Sequence, residues 1–314
     1  MEVIKGLENI SKTEDCAVTI GTFDGVHPGH LMLIHRLIEI AKERHLCSTL
    51  VTFEPHPQLV LNQNLKGKLK WLSSLEEKLN ILKQIGLDRT VIIKFDRKLA
   101  DHSYEDFVKN ILIDKLGARA LIVGYDHAFG KDRQGTYANL KQLSRKYGFY
   151  LEQEEPFQVD GKILSSTFIR NLVSEGRVQE AAAYLGRYYS LQGIVVHGND
   201  RGKQLRFPTA NLLIEDENKI IPMHGVYAVD VVYQNKTYKG MLNIGNQPTF
   251  GEKGNFSIEV HIFDFDRDIY GESLTVLFKR RLRDEKKFES VEALIRQLEK
   301  DKLNSLKENS EEKQ

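Results

Sequence analysis

Two imidazoles, His27 and His30, close the segment GTFDGVHPGH at residues 21–30. Their spacing puts both on one side of a helix's first turn. Gly29 between them lets a ligand approach the backbone, and Gly21 and Gly25 allow a tight turn. A helix N-terminus at this point would offer free N–H groups and a positive dipole end to phosphate. Two imidazoles beside it can stabilise charge that builds on a pentacoordinate phosphorus. An incoming phosphate is already an anion, so no side-chain nucleophile is needed and positioning would supply most of the catalysis. The plainer alternative is that the histidines only cap a turn. The strand-like run before them and the helical pattern after them favour a site. A metal pair would lack a third ligand at an obvious spacing.

Three further segments fit a nucleotide site: FEPHP (residues 53–57), VGYDHAFGKDRQG (123–135) and SSTFIR (165–170). The last offers hydroxyls and an arginine near a helix start, a sensible clamp for a leaving pyrophosphate. Alone it could be an ordinary N-cap. A second constellation lies far along the chain. HGNDRGKQLRFPTANL (197–212) contains Gly198 and Gly202, which could bend a loop around phosphates. Thr209 and Asn211 offer hard oxygen ligands suited to Mg²⁺. A glycine-rich hairpin turn is the alternative there. Glu259 and His261, in SIEVHIF, would share the face opposite Ile258, Val260 and Ile262 on an alternating strand, where a glutamate is normally solvated.

These groups need scaffolds. CAVTIGTF, CSTLVTF, TVIIKF and ARALIVG read as buried strands bounded by Gly, Pro or Asp. Amphipathic helices lie between them. One would bury Leu31, Ile34, Ile38 and Ala41. A second starts at Ser74 with Glu77 in capping-box spacing and stops at Gly86. A third covers residues 103–116. This order predicts an α/β domain with a Rossmann-like, doubly wound parallel sheet, whose ligands gather at the carboxyl ends of the strands. One helix, NLVSEGRVQEAAAYLG, precedes a boundary near residues 184–188. Then YSLQGIVVHG, GVYAVDVVY, KTYKGMLNIG, FSIEVHIFDF and SLTVLFKRRL predict an all-β barrel or sandwich, closed by a terminal helix over residues 290–303.

With 314 residues, 41% hydrophobic and 28% charged, the chain is long enough for two folded domains. A net charge of +1 gives no global field to recruit nucleic acid, and no nucleic-acid partner is expected. The run Lys279-Arg280-Arg281 reads as a solvated strand end. Cys16 and Cys47, well separated in sequence, read as buried reduced thiols of a cytoplasmic protein. No signal peptide and no membrane span is expected. Oligomeric state is not legible.

In this order the motifs resemble the prokaryotic bifunctional riboflavin kinase/FAD synthetase family over nearly the whole chain. The resemblance implies an FMN adenylyltransferase domain at residues 1–185, a riboflavin-kinase-like β-barrel at 186–305 and a charged tail at 306–314. The first would transfer AMP from ATP to FMN, giving FAD and pyrophosphate; the second would phosphorylate riboflavin to FMN with ATP and Mg²⁺. His27, His30 and Arg170 would be catalytic in the first domain and Glu259 the general base in the second. Gly21, Phe23, Asp24, Gly29, Ser166, Thr167, Gly198 and Gly202 would serve ATP and its phosphates. Asp126, His127, Phe129 and Arg283 would face flavin, and Thr209 and Asn211 would hold the metal.

The sequence departs from the family pattern at three places. His127 and Ala128 stand in a segment commonly DFxFG, Phe168 where the clamp often carries a basic residue, and Arg206 where LGFPTAN has glycine. Arg206 motivates one alternative, a monofunctional adenylyltransferase with a degenerate kinase domain. The other is a flavin-sensing or RNA-interacting regulator on the same folds.

Overall fold

A computed structural model describes the chain except for residues 11–13, 66, 126, 160, 199–206, 247–255 and 308–314. Two compact units emerge, Met1–Ser166 and Thr167–Gln314.

The first unit holds β1 (Glu2–Lys5), β2 (Cys16–Ile20), β3 (Cys47–Glu54), β4 (Arg89–Lys94), β5 (Ala118–Val123) and β6 (Tyr150–Gln153) in one parallel sheet of order β1-β4-β3-β2-β5-β6. Its helices are α1 (Pro28–Glu43), α2 (Pro57–Leu61), α3 (Leu75–Ile85), α4 (Arg97–Ala100), α5 (Tyr104–Asp106) and α6 (Tyr137–Tyr147). A small hairpin, β7 (Gln158–Val159) and β8 (Lys162–Ile163), stands apart. β2 is buried along its whole length, as a central strand covered on both faces must be. Cys16, Val18 and Ile20 face one core with Phe107, Leu112, Leu140 and Leu143. Ala17 faces the other, with Leu33, Ile34, Leu37 and Leu82. Helices therefore cover both faces, and the doubly wound sheet predicted from the alternating runs is present.

Local signals translated closely. Ser74 and Glu77 form the reciprocal capping box of α3, and Gly86 ends it in the left-handed region at φ +88°. α1 buries a wider stripe than predicted: Leu33, Leu37 and Ile40 join Ile34, Ile38 and Ala41, while Leu31 in the first turn is only half-buried. The helix expected over 103–116 is α-helical only through Asp106. Residues Phe107–Ile113 are π-helical, with Leu116 N–H reaching the Ile111 carbonyl. Cys16 and Cys47, far apart in sequence, are in-register neighbours on β2 and β3, and both are free thiols. Burial pushes the Cys16 thiol up to about 12, so it stays protonated.

The second unit opens with α7 (Ser166–Ser174) and α8 (Val178–Leu185). Sequence suggested one continuous helix here. Gly176 breaks it at φ +74°, and a Cβ there would lie 2.9 Å from the Tyr227 hydroxyl, so the break lets the backbone approach the barrel. The barrel closes in the order β10-β13-β12-β11-β14-β9, all antiparallel. Its strands are β9 (Tyr189–Val196), β10 (Ala210–Leu213), β11 (Gly225–Tyr233), β12 (Lys236–Asn246), β13 (Phe256–Ile262) and β14 (Ser273–Arg283). α9 (Val291–Leu306) follows, N-capped by Ser290. β10 is the strand the sequence concealed. It is the end of the glycine-punctuated segment read as loop, and it completes the ring by pairing with both β9 and β13.

Candidate active sites

All strands of the parallel sheet end at one edge. The sheet order changes direction on either side of β2: β3 lies on one flank and β5 on the other. Such a switch point opens a crevice at the carboxyl ends. The residue 21–30 loop leaves β2 there and runs into α1. His27 is the N-cap of α1, Pro28 takes its first position, and His27 Nδ1 accepts the His30 N–H at 3.4 Å. Accepting at Nδ1 favours the tautomer that carries its proton on Nε2. The two imidazoles stack, with centroids 3.7 Å apart and planes 17° apart. His27 is thus both a cap and one member of an imidazole pair. Gly29 lies against its ring, since a Cβ there would sit 3.2 Å from His27 Cε1.

The loop is held from behind. Phe23 and Val26 take positive φ, +48° and +39°, strained for residues with side chains. Phe23 is a core residue and packs edge-on to His30 at 5.3 Å. Asp24 is 3% exposed, and its carboxylate accepts the N–H groups of Leu72 (2.9 Å) and Ser73 (3.2 Å). Ser73 Oγ accepts the Gly25 N–H at 3.0 Å. Ser166 Oγ donates to the Asp24 carbonyl at 2.9 Å. Phe23, Asp24 and Ser166, predicted among the phosphate contacts, therefore spend the interactions described here on the loop's own shape. The Leu72-Ser73 segment and Lys78 on α3 are parts of this site that sequence reasoning missed. Lys78 looks like a surface position in EEKLN, and only the tertiary fold brings it under the loop.

FEPHP and residues 123–135 leave β3 and β5 at the same edge. The His56 ring is nearly parallel to that of Trp71, with centroids 6.4 Å apart. His127 and Phe129 pack together at 5.3 Å, and Phe129 packs on Phe107 at 5.3 Å. His127 Nε2 is shut off from solvent and meets no partner among the described residues. Burial, and then the Arg133 charge, lower the His127 pKa to about 4, so this imidazole is neutral near pH 7. Asp126 lies outside the described residues. Thr167 and Arg170 follow Ser166 on α7, where Arg170 Nη1 donates to Thr167 Oγ1 at 3.4 Å.

In the barrel, pairing builds the second site. Glu259 on β13 is the register partner of Asn211 on β10 and of Asn243 on β12. Register partners project to the same face, so the three side chains form a row across three strands. Thr209 Oγ1 donates to Glu259 Oε2 at 3.3 Å. Gly198 lies against Asn211, and a Cβ there would overlap the Asn211 amide at 2.0 Å. Asn243 opens NIGNQPTF, a segment that also resembles a family loop, but its place beside Glu259 depends on the β12–β13 register. A cavity of about 790 Å³ is lined by Phe207, Pro208, His261 and the α9 residue Lys302 among others. His261, predicted to share Glu259's solvent face, is buried and bonds the Pro208 carbonyl through Nδ1 at 2.7 Å. Arg283 is engaged too: Nε and Nη2 donate to Asp301 Oδ2 at 2.9 and 2.7 Å, joining the end of β14 to α9. Gly202 and Arg206 lie outside the described residues. No cluster of three or more His, Cys, Asp or Glu side chains able to hold a metal exists among the described residues.

Residues 9–168 match the family model for FAD synthetase, and residues 185–308 match that for riboflavin kinase. The chain is 37% identical over 306 residues to a bifunctional riboflavin kinase/FMN adenylyltransferase of Buchnera aphidicola subsp. Schizaphis graminum, covering 96% of each. The Escherichia coli K12 protein of the same name is 35% identical over 306 residues, again covering 96% of each. The chain belongs to this bifunctional flavin-enzyme family. The Listeria monocytogenes member is 37% identical over 285 residues, covering 90% of this chain and 89% of its own. A crystal structure titled as a macrolide-efflux protein from Streptococcus pneumoniae superposes with a TM-score of 0.90 at 31% identity, covering 98% of this chain and all of that one. Among the described residues no helix is long and apolar enough to cross a membrane. The family models leave residues 169–184, most of α7 and α8, between them.

Proposed function

We infer that this protein makes FAD in two steps, phosphorylating riboflavin to FMN and then adenylylating FMN, with ATP as co-substrate in both. The stacked His27–His30 pair at the N-terminus of α1, at the switch point of the sheet, carries the reading. An FMN phosphate oxygen attacks the α-phosphorus of ATP, a new P–O–P link forms, and the bond to pyrophosphate breaks. His27 and His30 stabilise the charge that develops on phosphorus, His27 through the N–H its tautomer leaves on Nε2. Gly21 and Gly29 admit the phosphates to the backbone, with Phe23, Asp24 and Ser166 shaping the loop. Thr167 and Arg170 hold the triphosphate. Asp126, His127 and Phe129 bind the flavin side, where the neutral His127 ring offers a stacking face.

In the barrel, Glu259 takes the proton from the ribityl 5′-hydroxyl as that oxygen attacks the γ-phosphorus and ADP leaves. A positioned general base of this kind contributes typically about 10²–10⁴-fold. Gly198 and Gly202 shape the phosphate-side loop, and Arg283 supports the flavin side. Thr209 and Asn211 fit Mg²⁺: both offer neutral hard oxygens, and Glu259 adds a carboxylate beside Thr209. Bound there, Mg²⁺ would neutralise phosphate charge. The functional domains are residues 1–185 and 186–305, followed by a tail at 306–314, and the protein works in the cytoplasm on small-molecule flavins. The single-activity and regulator alternatives are not favoured, because similarity to bifunctional relatives runs through both modules.

The test is a chromatographic product assay with ATP and Mg²⁺. Riboflavin should yield FMN and then FAD, and FMN should yield FAD. FAD from FMN with no FMN from riboflavin would reduce the protein to an adenylyltransferase.

A further inference from the structure

The first unit contains a buried cation that the reaction above does not use. Lys78 on α3 is 8% exposed. Its Nζ donates to the Thr22 carbonyl at 2.7 Å and to Thr52 Oγ1 at 3.4 Å. Thr22 is the second residue of the histidine loop, and Thr52 lies near the carboxyl end of β3, just before FEPHP. One ammonium thus ties the loop leaving β2 to the end of the neighbouring strand. Two carboxylates share this region. Asp24 is buried within the loop, and Glu54, at the end of β3, is exposed; burial lowers the Lys78 pKa, and the charges of Asp24 and then Glu54 oppose that shift.

Burying an ammonium is costly unless something requires it. A neutral side chain of similar length could fill the space beneath Thr22, but it could bring no positive charge to the Thr22 carbonyl and Thr52 hydroxyl. We propose that Lys78 is a positioning residue for adenylyl transfer: its ammonium pins the Thr22 carbonyl against β3 and sets a positive charge beside the loop, so that the histidine pair is held in place to meet an anion.

This inference rests on the adenylyltransferase reading of the loop, and FAD formation by the unaltered protein tests that reading separately. The test compares Lys78→Met and Lys78→Gln with Lys78→Arg in the full-length chain. Two internal controls exist. Trp71 is the sole tryptophan, so its fluorescence reports folding of the first unit. Riboflavin phosphorylation reports the second. With a normal Trp71 unfolding transition, the Met and Gln variants should raise KM for ATP about tenfold or more, as removal of a nearby buried charge implies. They should also weaken inhibition by added pyrophosphate and leave riboflavin phosphorylation unchanged. Arg should restore much of the ATP affinity. Unchanged KM for ATP and unchanged pyrophosphate inhibition in folded Met and Gln variants would overturn the proposal. So would loss of the folded Trp71 signal in both, which would make Lys78 a residue of the fold alone.

Discussion

In the function proposed above, the histidine loop and the barrel row meet the same demand, holding ATP phosphates, by opposite means. The loop is irregular backbone with positive φ at Phe23 and Val26, braced by Leu72, Ser73, Lys78 and Ser166 from distant segments. The barrel row needs no strained backbone. Asn211, Glu259 and Asn243 stand side by side because three strands are in register. A braced loop depends on many remote residues, whereas a register row depends on the ladder and on its own side chains. The first site should therefore be sensitive to second-tier substitutions, and the second mainly to those in the row itself.

Separating the two activities tests that contrast most strongly. Glu259→Gln should cut riboflavin phosphorylation by about 10²–10⁴-fold, with FAD formation from FMN unaffected in the product assay. His27→Ala should do the converse, lowering FAD formation by about 10²–10³-fold while FMN still accumulates from riboflavin. If either substitution impaired both reactions equally, the assignment of one chemistry to each site would be wrong.

Asp301→Ala sharpens the comparison from the side of stability. Asp301 is 1% exposed and takes the Arg283 fork, so its loss leaves a guanidinium uncompensated. Breaking a buried pair costs about 3–5 kcal/mol. Thermal inactivation of riboflavin phosphorylation should move down by several degrees, with the Trp71 transition little changed.

His127 gives the first unit a pH dependence. Its folded pKa is about 4 against an ordinary 6.5, so the unfolded chain binds the extra proton between those values. Stability of the first unit should fall as pH drops from 6.5 toward 4, by on the order of 1–3 kcal/mol, and stay level above 6.5. Urea titrations read through Trp71 should show His127→Phe flattening this slope. The smallest effect is expected at Ser74→Ala. Losing the capping box of α3 should cost about 1 kcal/mol in the same titration, with a modest knock-on in FAD formation because α3 carries Lys78.

Much of this was legible before any fold was known. His27 and His30 are three residues apart, and a helix brings such residues together without help from elsewhere. The capping box at Ser74 and Glu77 and the glycine stop at Gly86 are likewise local. Alternation along β13 placed Glu259 on the face opposite the buried aliphatics, yet did not show that His261 is buried, with Phe207 and the Pro208 carbonyl reaching it from outside its own strand run. The break at Gly176 was not legible because a single glycine inside a helical pattern does not by itself mark an end, whereas its close approach to Tyr227, far along the chain, shows only in the fold. The π-helical turn at Phe107–Ile113 leaves no mark in a hydrophobic pattern read at 3.6 residues per turn.

What the sequence by itself determined is most of the central strands and amphipathic helices, and the residues that could act within one turn or one strand. It also determined the order of motifs that marks the family. What only the tertiary structure decided is which distant groups stand behind them: Lys78 and Ser73 under the histidine loop, Asn243 beside Glu259, and Asp301 against Arg283. The reason is physical. Local geometry follows from backbone periods of two and 3.6 residues, while burial, strand register and the pairing of charges depend on where the chain returns to itself.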